Sequence, residues 1–118
     1  MVIKIIIGAI ALLHFYIMYM EMFAWTTLGR KSFGRRKEGF YEDTEVMAGN
    51  QGLYNGFLAA GLVWSLWIED VAWSQNVASF FLICVALAGL YGAWSAHKKI
   101  LYIQAFPAIL ALILLWSL

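Results

Sequence analysis

An acid and a histidine sit inside an apolar run that opens at Val2 and continues to about Leu28. A helix of roughly 20 apolar residues spans a bilayer. Ionisable side chains held there are costly, so Glu21 and His14 are candidate functional groups. The carboxyl could accept hydrogen bonds, hold a positive charge or carry a proton, and the imidazole could bind a ligand. At 100° per residue the two differ by about 20° around the helix, on a stripe shared with Met18 and Trp25. Along the axis they stand roughly 10 Å apart. That is too far for an easy direct hydrogen bond, so each needs its own partner, or a ligand or water between them.

Other segments offer partners. In NQGLYNGFLAAG (Asn50–Gly61), Gln51 and Asn55 are four apart and share a helix face, with Tyr54 and Asn50 to one side. Tyr91 and Gln104 stand at a similar depth in later apolar segments. With helices running up and down, Glu21, Gln51, Asn55, Tyr91 and Gln104 all fall about one to two turns from the same end. Polar groups that meet at one depth form either a satisfied hydrogen-bond network or a ligand site. As a network, a protonated Glu21 would bond Gln51 or Asn55 at about 0.6 kcal/mol, rising to about 1–2. A glutamine would serve that task, which favours a ligand or proton role for Glu21. His14 lies about two turns deeper, where Ser65 and Ser79 are the available partners.

The elements that must position these groups follow from composition. The chain has 118 residues, of which 64% are hydrophobic and 13% charged, whereas a soluble domain is about half apolar. Most charges gather between Arg30 and Glu45, with small groups at Glu69–Asp70 and Lys98–Lys99, and the stretches between are long enough to span. Four helices are expected, at about 2–28, 46–68, 77–96 and 100–118. The expected fold is all-α, an integral membrane four-helix bundle with up-down topology, forming a single transmembrane domain over 1–118. The short connection around His97–Lys99 makes the last two helices antiparallel neighbours.

Lys4 precedes an apolar run, as in a signal peptide. The run is too long and lacks a small-x-small cleavage site, so it is expected to be retained. Arg30, Lys31, Arg35, Arg36 and Lys37 in the first loop, and Lys98 and Lys99 in the third, favour the cytoplasm. The expected location is the cell (cytoplasmic) membrane, multi-pass, with both termini outside. Trp25, Trp64, Trp67, Trp73, Trp94 and Trp116 fall near span ends, as interfacial anchors do. The basic loop sets topology, and its side chains could also meet anionic lipid headgroups.

Several chemistries find no support. Net charge is +1, so no pull toward nucleic acid is expected. Cys84 is the single cysteine, which excludes an internal disulfide and a C-x-x-C site. Met18, Met20 and Met22 are soft-metal donors, but Met20 points about 120° from His14, so they form no single face. Nothing supplies a recognisable second axial ligand for a haem on His14, and no metal site or cofactor is named. No nucleophile–base pair or cofactor motif marks an enzyme. Gly52, Gly56 and Ala60 form a small-residue stripe, as do Ala86, Gly89, Ala93 and Ala96, and both are read as close helix packing. Pro107 leaves the carbonyl of Ile103 without its usual donor.

His14, EMFAW (Glu21–Trp25), NQGLYNGFLAAG (Asn50–Gly61), GLYGAWS (Gly89–Ser95) and QAFPA (Gln104–Ala108) together resemble the small four-span membrane proteins grouped as domain of unknown function 1304. The resemblance covers nearly the whole chain. It implies a bacterial-type integral membrane protein and no assigned activity. From the residues themselves, the expected function is binding of a small or lipid-like ligand in an intramembrane polar pocket. Its lining would be Glu21, His14, Gln51, Asn55, Tyr54, Asn50, Tyr91 and Gln104. Two other readings stay open: a structural or accessory subunit of a membrane complex, and a small proton-coupled transporter acting as a dimer. Expected partners are membrane lipid, a small-molecule ligand and a second copy of the chain.

Overall fold

Apolar runs broken by glycine, proline and charge become helices because no segment alternates as a strand would. A computed structural model describes residues 1–117, and every regular element among them is helical. The order is α1 (Val2–Phe23), a wide π-helical turn (Trp25–Gly29), α2 (Arg30–Phe33), α3 (Phe40–Asp43), α4 (Glu45–Trp67) and α5 (Val71–Ser95). A second π-helical turn (Leu101–Ala105) and α6 (Phe106–Ser117) complete it. The expected end of the fourth helix at Leu118 lies outside the described residues.

Local chemistry explains where the bounds differ from the expected ones. The first helix ends at Phe23 instead of Leu28. Ala24 leaves helical geometry at φ −141°, and the Gly29 amide reaches five residues back to the Ala24 carbonyl. The third helix begins at Val71 instead of Val77. Asp70 caps it, its carboxylate accepting a hydrogen bond from the Trp73 amide at 2.9 Å, and an aspartate at that position satisfies an orphan donor. Pro107 is the second residue of α6, just after the wide turn in which the Phe106 amide reaches back to Leu101. The widened turn absorbs the donor that proline lacks.

The chain forms two compact units. One comprises Met1–Leu12 together with the chain from Leu58 onward, and the other comprises Leu13–Phe57. In the first unit the core contains Ile7, Ile10, Leu62, Leu82 and Val85, together with Ala11, Ala78, Ala86, Ala108 and Ala111. Small residues let helix backbones approach closely. A Cβ added to Gly89 would stand 2.5 Å from the backbone nitrogen of Ala105. Gln75 donates to the Leu115 carbonyl at 2.9 Å, and the Trp116 indole donates to Ser79 at 2.7 Å. These bonds tie the start of α5 to the end of α6, so the two helices are antiparallel. Large apolar side chains of the same helices, including Phe80, Leu87, Trp94, Phe106, Ile113 and Trp116, are exposed. An exposed apolar surface of this extent marks a membrane or a partner interface. Two helices, Val2–Phe23 and Val71–Ser95, are long and apolar enough to cross a membrane by length and composition, with mean hydropathies of 2.1 and 2.0.

Candidate functional site

In the second unit, the later part of α1 packs against the earlier part of α4. Gly52 lies against Met18, Glu21 and Met22, and Gly56 lies against Met18. The pairing Met22 with Gly52 and Met18 with Gly56 runs in opposite chain directions, so these segments are antiparallel. The G-x-x-x-G stripe is thus filled from within the chain. Its missing side chains let Glu21 sit close to α4, where Asn55 is buried. The Asn55 amide donates to a Glu21 carboxyl oxygen at 2.7 Å and to the Gln51 carbonyl of its own helix at 3.3 Å.

The acid is only partly enclosed. Glu21 and Gln51 line a recess of about 280 Å3 whose other walls are Trp25, Phe40, Thr44, Met47 and Ala48. A carboxyl anchored on one side by an amide and open on the other to an apolar, aromatic recess can accept a hydrogen bond or hold a cation. His14 is fully buried. No buried side-chain nitrogen or oxygen among the described residues lacks a hydrogen-bond partner, so the imidazole is satisfied within the fold.

The other expected residues have different surroundings. Asn50 is exposed and donates to the Val46 carbonyl one turn back on its own helix at 3.1 Å. Tyr54 is exposed and meets Phe57 edge to face. Tyr91 and Gln104 belong to the other unit. Tyr91 is exposed beside Trp94. Gln104 is half-buried in the wide turn before Phe106. Of the eight expected residues, Glu21, Asn55 and Gln51 are the ones seen together.

The connection between the helices holds more structure than a topology-setting loop requires. The Trp25 ring packs on Phe33 and Tyr41, with centroids 5.6 and 5.4 Å away, and its indole donates to Thr44 at 2.9 Å. Gly29 lies under that ring, where a Cβ would clash with Trp25. Tyr41 is buried, and its hydroxyl donates to the Gly34 carbonyl at 2.6 Å. Arg30 stacks over Tyr41 and pairs with Glu42. A hydrogen bond from its own backbone amide, and then the Arg30 guanidinium, hold the Glu42 carboxyl below the usual carboxylate range. Trp25, expected as an interfacial anchor, is therefore the centre of an aromatic cluster. Sequence reasoning missed Phe40, Tyr41 and Thr44. The available signal was a run of aromatics and glycines inside a charged loop.

The chain matches the family described as "Protein of unknown function (DUF1304)" over residues 8–116. It is also similar to a protein of Lactococcus lactis subsp. lactis (strain IL1403) described as "Uncharacterized protein YpaA". The two are 35% identical over 106 residues, which is 88% of this chain and 87% of the relative. No solved structure matches the chain. The family match takes in both halves of the Glu21–Asn55 pair and the whole aromatic connection, and the chain belongs to the DUF1304 family.

Proposed function

We propose that the protein is a four-span membrane bundle that binds a small or lipid-like ligand through Glu21, at the membrane end of its basic loop. The observation that carries this reading is a carboxyl bonded to Asn55 at 2.7 Å and also facing a recess walled by Trp25, Phe40 and Met47. An acid serving only to join two helices would have no need of that open side. The ligand class that suits the recess has an apolar body and a donor head, such as an amine, because a carboxyl and aromatic rings both favour positive charge. Asn55 orients the carboxyl, and Gln51 offers a further polar group at the rim.

The membrane part of the reading draws on the two long apolar helices and the outward-facing large apolar side chains. The basic loop belongs on the cytoplasmic side by the positive-inside rule, which puts both termini outside.

The test is thermal unfolding of the purified protein in neutral detergent against a panel of alkylamines and neutral alcohols of matched chain length. Amines are expected to raise the melting temperature of the wild type and not of Glu21→Gln. Equal stabilisation of both proteins, or by alcohols as much as amines, would sink the proposal.

A further inference from the structure

The loop bears a second recess, on which the Glu21 site makes no claim. It measures about 760 Å3, within the roughly 300–1,000 Å3 of ligand clefts. Five bases line it, Arg30, Lys31, Arg35, Arg36 and Lys37, against two acids, Glu38 and Glu42. The fold builds this concavity. Gly34 and Gly39 turn the chain with φ of +79° and +82°, a region that favours glycine. The Tyr41 hydroxyl pins the first of these turns through the Gly34 carbonyl.

The bases divide by what they do for the fold. Arg30 is engaged by Glu42 and Tyr41, and Arg36 lies over the Phe40 ring at 5.9 Å. Lys31, Arg35 and Lys37 form no ion pair with an acid among the described residues, although one acid of the recess, Glu42, is already taken by Arg30. Three cations thus share the recess with one remaining acid, Glu38, which pairs with none of them among the described residues. The helix that precedes them, α1, is apolar and long enough to span.

We propose that this recess binds the phosphate of an anionic phospholipid headgroup in the cytoplasmic leaflet, with Lys31, Arg35 and Lys37 as its binding residues. The inference rests on the membrane reading above and not on any ligand at Glu21. Juxtamembrane bases are drawn to anionic lipid, and a pinned concavity adds a place for one headgroup to sit. The attraction is screened by salt, because the side chains are exposed.

The experiment measures binding of dioctanoyl-phosphatidylglycerol to the full chain in neutral detergent, by native mass spectrometry. Dioctanoyl-phosphatidylcholine and glycerol phosphate are the comparison probes. In detergent, a change in loop charge cannot act by reversing membrane orientation. Wild type is expected to retain the phosphatidylglycerol selectively. Lys31→Gln/Arg35→Gln/Lys37→Gln should weaken retention on the order of a hundredfold. That variant spares Arg30 and Arg36, which hold the loop together. Tyr41→Phe keeps every charge and releases Gly34, and a several-fold loss is expected. Equal retention of phosphatidylcholine, equally tight binding of glycerol phosphate, or undiminished binding by either variant would overturn the proposal. Release of the protein from membranes by alkaline carbonate would overturn the membrane reading as well, whereas a protein that stays in the membrane and shows no lipid preference fails the headgroup inference alone.

Discussion

The two units are held together by different means. In the unit containing α5 and α6, alanines and Gly89 bring backbones into contact, and the polar bonds sit at one end, where Gln75 and Ser79 meet Leu115 and Trp116. In the unit from Leu13 to Phe57, glycines face flexible methionines, and Asn55 bonds an acid. There the connection between helices is itself packed around Trp25 and Tyr41. Packing against long side chains and aromatic rings leaves recesses, and both recesses described above occur in the second unit.

The comparison can be broken most forcefully at Trp25. Trp25→Ala removes the ring that touches Phe33, Tyr41 and Gly29 and the donor to Thr44, at a cost of about 3 kcal/mol. Trypsin should then cut rapidly at Lys31–Lys37, while cutting at Lys98 and Lys99, between α5 and α6, stays as slow as in the wild type. Equal loosening of both would show that the units do not differ in this way.

Glycine substitutions should separate the two kinds of packing. Gly89→Ala meets the Ala105 backbone, which cannot move aside, and should destabilise by about 1–3 kcal/mol. Gly56→Ala meets the Met18 sulfur at the far end of a flexible side chain and should cost less than about 1 kcal/mol. Melting temperatures of the two variants in one detergent decide the order.

A smaller effect is expected at the polar pair. Asn55→Ala removes the donor to Glu21, and hydrogen bonds between helices in membranes are worth about 0.6 kcal/mol, rising to about 1–2. Unfolding by a denaturing detergent should shift by that amount, while Asn50→Ala, which loses a bond within its own helix, should shift less.

The smallest effect concerns acid. The folded state holds Glu42 below its usual range, so its stabilisation of the loop is complete at neutral pH. It should fade only as the pH falls through the lowered value. Trypsin is inactive there, so hydrogen exchange of the loop amides read at pH 6 and pH 3 is the suitable measurement. Arg30→Gln should show a weaker pH dependence.

Much of the helical layout was legible because it depends on neighbours along the chain. Apolar runs, the glycine spacing of Gly52 and Gly56, and the cost of an acid at Glu21 are local facts, and the four-residue spacing of Gln51 and Asn55 pointed to the acid's partner. The start of α5 is legible too, in Asp70, a residue type that caps helices. The early end of α1 at Ala24 was not legible, since nothing in the Trp25–Leu28 stretch, with neither glycine nor proline, forbids a helix. Where α1 ends, Trp25 packs on Phe33 and Tyr41, which are distant in the chain.

By itself, the sequence determined an all-α chain, the apolar runs that become its long helices, and which side chains would be costly in an apolar setting. The tertiary structure alone decided that Asn55 donates to Glu21, that Asn50 turns back to its own helix, and that a charged loop closes around a tryptophan. The physical reason is reach. Helix formation and burial cost are set within a few residues, whereas Trp25 and Thr44, or Glu21 and Asn55, are far apart in the chain and meet only when glycines allow two helices to approach.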